Sequence, residues 1–254
     1  MKLFDKNLEL LRISQPFLAR RVEQEPAQKS VRVVMSKDGY PIPQMGHISL
    51  HSNYYPLEEA SRSIIDFKVN KNKSPVIYGL GFGYHILEVI KKYPNKSILI
   101  VEPLMSMFQA FMNSVDIEPF LLNSQFLISE PPPKIYANHN ALNWTIYKHL
   151  PSIRISNKYF TNLEQAREAY TYININKLKI LVINPYYGGS LPTANHCVQA
   201  LNSLGHQAES VQCDSFLSGY SSIKNITKNH FIAYINSLSN QPDNKIAAIT
   251  QGEH

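Results

Sequence analysis

Cysteine is scarce in this chain: Cys197 and Cys213 are the only two in 254 residues. Without a C-x-x-C pair they supply neither a disulfide framework nor a cysteine zinc site, and reduced thiols in a cytoplasm are the simplest account. No segment reaches the roughly eighteen uninterrupted apolar residues that a membrane-spanning helix needs. Asp5 and Glu9 stand where a secretion signal would carry its apolar core. A soluble, unexported, cytoplasmic protein is therefore expected. Lys and Arg exceed Asp and Glu by 25 to 19, a net charge of +6, but they are scattered. No basic run with interleaved aromatics marks a nucleic-acid groove. Mild basicity of this kind suits an anionic partner such as a nucleotide, and equally no specific partner at all.

What is present is the material of ordinary cores, with 44% hydrophobic residues, fifteen tyrosines and eleven phenylalanines. The chain is organised around residues 74–103. There the apolar run Val76-Ile77-Tyr78 leads into Gly79-Leu80-Gly81-Phe82-Gly83, a helical stretch follows, and Ile98-Leu99-Ile100-Val101 ends on Glu102. This is the order of a βαβ unit whose first turn approaches a nucleotide and whose second strand ends in a carboxylate for ribose hydroxyls. Glycines allow positive φ and leave no Cβ between backbone amides and a ligand, and the helix start offers unpaired N–H groups to an anion. A tightly packed βα junction needs the same glycines with no ligand at all, so both readings stand at this point.

Around this unit the pattern predicts further elements. Leu3 to Ile13 reads as a helix interrupted at Pro16. Val31 to Met35 and an extended piece around His47 to Leu50 read as a hairpin about the turn Lys37-Asp38-Gly39-Tyr40. Pro56 opens a helix with Glu58 and Glu59 at its positive end, which leaves His51 and Ser52 just before a helix start that faces the glycine turn. A lone histidine there is more often structural than catalytic. Pro103 opens a helix with Met107, Phe108, Phe111 and Met112 as its core stripe. Gln125 to Ser129 reads as a strand, Pro131-Pro132-Pro133 as a rigid extended break, and Asn143 to Leu150 and Asn162 to Tyr172 as helices.

A fresh βαβ pattern begins at Lys179-Ile180-Leu181-Val182-Ile183. A loop with Gly188-Gly189-Ser190, a helix Ala194 to Leu204 stopped by Gly205, and a strand Ala208 to Val211 follow, then a long helix Phe216 to Leu238 and a strand Lys245 to Thr250. Tyr186-Tyr187 beside that loop could stack on a ring or simply pack. Three strands make a small sheet, so it either joins the first sheet or continues past His254. The expected fold is α/β. A Rossmann-like, methyltransferase-like three-layer domain with a small N-terminal β element spans residues 1–172, and a second, incomplete Rossmann-like unit spans 173–254.

Two groups of residues carry a family resemblance. His51 to Ala60 resembles the HS-x-Y-x-P-x-x-EA stretch, Gly79 to His85 the GLGxGYH turn, and Glu102-Pro103 and Asp116 the following acidic positions, of the N-terminal Rossmann-like domain of the motility-accessory-factor (Maf) flagellin-glycosylation proteins. Lys179 to Asp214 resembles the opening βαβ of a GT-B glycosyltransferase. The resemblance implies a bacterial protein or surface glycosylation system, a nucleotide or nucleotide sugar as small-molecule partner, and an acceptor protein such as flagellin. On this reading the chain is the front part of a glycosyltransferase, inactive alone. The backbone at Gly79, Gly81 and Gly83 would approach the ligand, Glu102 would bind ribose, His51 and Tyr84 would stand at the rim, and Gly188, Gly189 and Ser190 would shape the second cleft. The turn is also similar to that of S-adenosylmethionine-dependent methyltransferases. There an acidic residue two places before the first glycine meets the ligand's ammonium, and here that place is Ile77. A non-catalytic scaffold or acceptor-binding module is the third reading. The carboxylate cluster that pyrophosphoryl transfer in a related archaeal pterin group would need is not evident, and no metal is expected.

Overall fold

The computed structural model describes residues 2–26, 30–184, 193–212 and 246–249. Gly188, Gly189, Ser190, Tyr186, Tyr187 and the long helix expected at Phe216 to Leu238 lie outside the described residues. The chain divides into two compact units, Met1–Tyr170 and Thr171–His254. Among the described residues no helix is long and apolar enough to cross a membrane.

The first unit opens with α1 (Leu3–Ser14) and α2 (Pro16–Gln24). As expected, the first helix is interrupted ahead of Pro16, with Gln15 outside helical geometry; Pro16 then takes the first position of a second helix, α2, where its missing N–H costs nothing. Asn7, fully buried on α1, donates to the carbonyls of Met112 and Val115 and accepts from the Ile117 N–H. The expected hairpin is a three-stranded antiparallel meander, β1 (Arg32–Met35), β2 (Pro41–Met45) and β3 (Ile48–Ser49), in which residues 41–45 form the shared central strand. Helix α3 (Pro56–Ile64) begins at its proline as expected.

The sheet follows: β4 (Ser74–Tyr78), α4 (Tyr84–Lys92), β5 (Ile98–Glu102), α5 (Met105–Ser114), α6 (Glu118–Leu121), β6 (Ser124–Ile128), α7 (Pro132–Asn138), a 3-10 turn (Ala141–Asn143), β7 (Trp144–Lys148), α8 (Leu150–Ile155) and α9 (Asn157–Ile175). Two expectations are corrected here. Pro132 and Pro133 do not prolong an extended break; they occupy the first turn of α7, after Pro131 in extended geometry. Residues 144–148 are a strand, not part of a helix. The β-branched and aromatic run Trp144-Thr145-Ile146-Tyr147 suits a pleated surface, and pairing with β4 outweighs its partly helical spacing.

All four strands are parallel, in the order β6-β5-β4-β7. Numbered along the chain this is 3-2-1-4, the Rossmann arrangement, and the order reverses between β4 and β7. Side chains alternate between two cores. Ile77, Ile98, Ile100, Phe126 and Ile128 meet α1 to α6 on one face, and Val76, Tyr78, Leu99, Val101 and Leu127 meet α7 and α9 on the other. Burial of each such aliphatic side chain contributes about 1.5–3 kcal/mol, which is why both faces are covered. The second unit contains β8 (Lys179–Asn184), α10 (Thr193–Ser203), β9 (Gln207–Gln212) and β10 (Ile246–Ile249), a parallel sheet in the order β10-β8-β9 with the first strand central.

Candidate functional site

In a doubly wound sheet the ligand crevice opens at the carboxyl ends of the strands where the strand order reverses. Here that point lies between Gly79, just after β4, and His149, just after β7. The turn from Gly79 to Gly83 does have the backbone that only glycine adopts freely, with φ of +97°, +51° and +76° at its three glycines. The whole turn is nevertheless buried. A β-carbon on Gly79 would collide with Ser152, one on Gly81 would stand 2.5 Å from His51 Nε2, and one on Gly83 would stand 2.6 Å from the Phe120 ring. The space that the glycines open is occupied by the protein's own side chains.

Three histidines line this filled crevice. His51 comes from the loop after β3. That loop is pinned where the Ser52 N–H donates to Glu59 at 2.6 Å and the Ser52 hydroxyl accepts from the N–H groups of Tyr54 and Tyr55. His85 stands in the first turn of α4, and His149 precedes α8. His51 Nε2 accepts the Phe82 N–H at 2.8 Å. Because the Gly79 carbonyl can only accept, His85 Nε2 carries the proton of their 3.1 Å bond, and its buried Nδ1 keeps a lone pair without a partner. His149 Nδ1 lies 2.7 Å from the Ser152 hydroxyl. The rings of His85 and His149 stack with centroids 4.2 Å apart and planes 7° from parallel, and His51 lies 5.0 Å from His149.

Burial pushes all three imidazoles toward the neutral form. His85 falls to about 4, opposed by its bond to Gly79. His51 falls well below its ordinary value through burial and the neighbouring His85. His149 does so through burial and both neighbours, opposed by a hydrogen bond to the Leu50 backbone. One nitrogen from each ring can be chosen so that all three lie within 4.8 Å of one another, so a metal centre has to be considered. An imidazole lone pair lies in the ring plane, and two stacked parallel planes share no point where one ion could bind both. His51 Nε2 is already committed to Phe82. As arranged, this is a stack of neutral imidazoles and does not fit a metal.

Glu102 lies at the end of β5, and it is buried. Its Oε2 accepts from the Leu80 N–H at 2.9 Å and its Oε1 from the Leu104 N–H at 3.0 Å. The two oxygens offered above to ribose thus hold the glycine turn and the start of α5. Burial pushes the carboxyl up to about 7, against those two donors. Tyr84, like His51, is buried rather than at a rim. Its hydroxyl donates to the Pro41 carbonyl at 2.7 Å, its ring meets His51 edge-on at 5.0 Å, and burial raises its pKa. Asp116 is partly exposed, pairs with Lys6 at 2.7 Å and accepts from the Glu118 N–H.

The structure therefore brings Gly79, Gly81, Gly83, Tyr84, Glu102 and His51 into one neighbourhood as partners of each other. Sequence reasoning missed His149, Ser152 and Phe120, which complete it. No local signal marked them, because residues 144–148 read as helix and these partners reach the turn only through the tertiary fold.

A parallel sheet in 3-2-1-4 order, helices on both faces and a glycine turn at the strand-order reversal define a Rossmann-like α/β protein. No protein-family model and no curated protein matches the chain. Among solved structures, a Maf glycosyltransferase from Magnetospirillum magneticum AMB-1 is similar at 13% identity with a TM-score of 0.48, over 83% of this chain. The match covers 46% of that structure, so the chain spans less than half of its length.

Proposed function

We propose that the chain is a component of a bacterial protein or surface glycosylation system in which Met1–Tyr170 serves as a non-catalytic module, a scaffold or a body that holds the acceptor. The glycosylation context rests on the sequence resemblance at His51 to Ala60, Gly79 to His85 and Glu102-Pro103. The non-catalytic role rests on one observation: the crevice at the strand-order reversal is filled from within by His51, Ser152 and Phe120. Both Glu102 oxygens are engaged by backbone N–H groups, which speaks against ribose recognition in this unit. Methyl transfer is disfavoured on the same grounds and by Ile77 in place of an acidic residue. This reading assigns nucleotide-sugar contact to the second unit, where the resemblance puts Gly188, Gly189 and Ser190, and names flagellin or another surface protein as the acceptor.

Two measurements test the two halves of this reading. In-frame deletion of the gene, followed by intact-mass spectrometry of flagellin and the major surface proteins, should show loss of the glycan mass, restored by the wild-type gene. Unchanged masses would remove the glycosylation context. Calorimetric titration of the full chain with S-adenosylmethionine should give no saturable heat, and any binding of nucleotide sugars should be indifferent to Glu102→Gln. Binding that Glu102→Gln abolishes would return the ligand to the glycine turn.

A further inference from the structure

Along the chain the basic residues look scattered, but the fold gathers an excess of them at the amino ends of the first unit's strands, the end of the sheet away from the glycine turn. Residues 62–96 hold seven Lys and Arg against two Asp and Glu, so five of the chain's six net positive charges lie in this stretch. Hydrogen bonds tie it into one rim. The Lys92 ammonium donates to the Ile64 and Ile65 carbonyls at the end of α3, at 2.9 and 2.8 Å. That of Lys96 donates to the carbonyls of Asn70, Lys71 and Lys73 in the loop before β4, at 3.2, 2.9 and 2.8 Å. Asn123, just before β6, donates to the Pro94 carbonyl at 2.6 Å. The end of α3, the loop before β4, the end of α4 and the start of β6 are thereby held side by side.

The way these groups are held leaves their charge in place. A backbone carbonyl has no net charge, so Lys92 and Lys96 fix the rim without being neutralised. Arg62, Lys68, Lys71 and Lys73 are exposed and, among the described residues, pair with no carboxylate. Lys91 is compensated by Glu88 at 2.6 Å, which leaves Asp66 as the second acid of the stretch. On the α6 side, Asp116 and Glu118 are taken up by Lys6. Two large aliphatic side chains stand out among these cations: Ile65, 65% exposed, and Leu122, 88% exposed, the residue before Asn123.

The composition of the rim favours one kind of anionic partner. Its aromatic rings are engaged in the fold, since Phe67 and Tyr93 meet edge to face and the Tyr93 hydroxyl donates to the Phe67 carbonyl, so no platform is left for stacking bases. Six of the seven cations are lysines, flexible point charges without the planar fork that grips one phosphate or carboxylate in a fixed geometry. Lysines around exposed aliphatic side chains suit a fluid anionic interface into which an apolar group can dip. We infer that this rim docks the first unit on the surface of an anionic lipid bilayer, with Lys68, Lys71 and Lys73 over the headgroups and Ile65 and Leu122 entering between them. The surface is distinct from the glycine turn, and its failure would leave the proposed function as it stands.

The test measures co-sedimentation of the full chain with vesicles of phosphatidylcholine alone or with about 30% phosphatidylglycerol. Partition onto the anionic vesicles at about 0.1 M salt should be at least tenfold stronger than onto the neutral ones, and should be lost at about 0.5 M salt. Lys68→Glu, Lys71→Glu and Lys73→Glu together should weaken it at least tenfold at an unchanged melting temperature. The same charge change at the exposed Arg20, Lys37 and Lys158 should weaken it far less. Ile65→Ser with Leu122→Ser should weaken it at least threefold and leave its salt dependence in place. Single-stranded RNA of random sequence, added at a phosphate concentration equal to that of the anionic lipid, should leave the chain on the vesicles. Equal partition onto neutral and anionic vesicles, equal losses in the two triple variants, no loss in the double serine variant, or release by that RNA would each overturn the assignment.

Discussion

The Nε2 of His51 accepts the Phe82 N–H at 2.8 Å, so an imidazole from the loop before α3 closes the middle of the glycine turn where a ligand atom would otherwise stand. This bond makes His51 a structural residue with a measurable contribution. His51→Ala leaves a buried N–H without a partner and a void beside Gly81. Together these should cost about 3 kcal/mol in urea unfolding of the full chain. A change below about 0.5 kcal/mol, within the range of an ordinary surface substitution, would contradict that role.

Gly81 and Gly39 separate the steric effect from the conformational one. Both have positive φ, but a β-carbon on Gly39 meets nothing within 4 Å, while one on Gly81 meets His51 Nε2 at 2.5 Å. Gly39→Ala should cost about 1 kcal/mol, and Gly81→Ala clearly more. Adding His51→Ala to Gly81→Ala should then cost less than the two separate losses combined, with a coupling of about 1 kcal/mol or more in a double-mutant cycle. Additive losses would mean that the two residues do not share the space.

Acid should weaken the first unit with a definite sign. The His85 pKa falls to about 4 in the fold, against about 6.5 when unfolded. The unfolded chain therefore takes up the proton first, and stability is lost as pH falls from about 6.5 to about 4, by about 3 kcal/mol from this group. His51 and His149 act in the same direction. Glu102 opposes them: its pKa rises to about 7 in the fold, so its contribution declines as pH rises from about 4.5 to about 7. Urea unfolding between pH 4 and 7.5 should show a net loss toward acid, steeper in Glu102→Gln than in the wild type. A shallower slope in that variant would reverse the assignment.

At neutral pH, Glu102→Gln should also destabilise. The amide retains one acceptor oxygen and turns an NH2 group toward either the Leu80 or the Leu104 N–H, which leaves a buried donor facing a donor. The expected cost is about 1–3 kcal/mol, read from the urea midpoint at unchanged slope. A neutral or stabilised variant would mean that the two backbone bonds are not formed in solution.

The unbroken apolar runs Val76 to Tyr78 and Ile98 to Val101, with glycines between, made the βαβ core legible, because a strand covered on both faces and a glycine turn each leave a local mark. Pro56 and Gly205 marked a helix start and a helix end for the same reason. The strand at Trp144 to Lys148 was not legible, because its spacing also suits a helix and only its pairing with β4 decides the matter. The triproline likewise reads locally as extended, although the first turn of a helix tolerates two of its members. His149 and Ser152 meet Gly79 across about seventy residues of chain, and no local pattern announces a partner brought in by strand order. That is why the glycine turn read as open from sequence and is filled in the fold.

The central claim, that the first glycine turn is closed from within, is tested most directly by the backbone amides of Leu80, Phe82 and Gly83 in proton–nitrogen NMR spectra of the full chain. They should be strongly protected from hydrogen exchange and should not shift when S-adenosylmethionine or a nucleotide sugar is added to millimolar concentration. Saturable shifts centred on these three amides, lost in Glu102→Gln, would contradict the account.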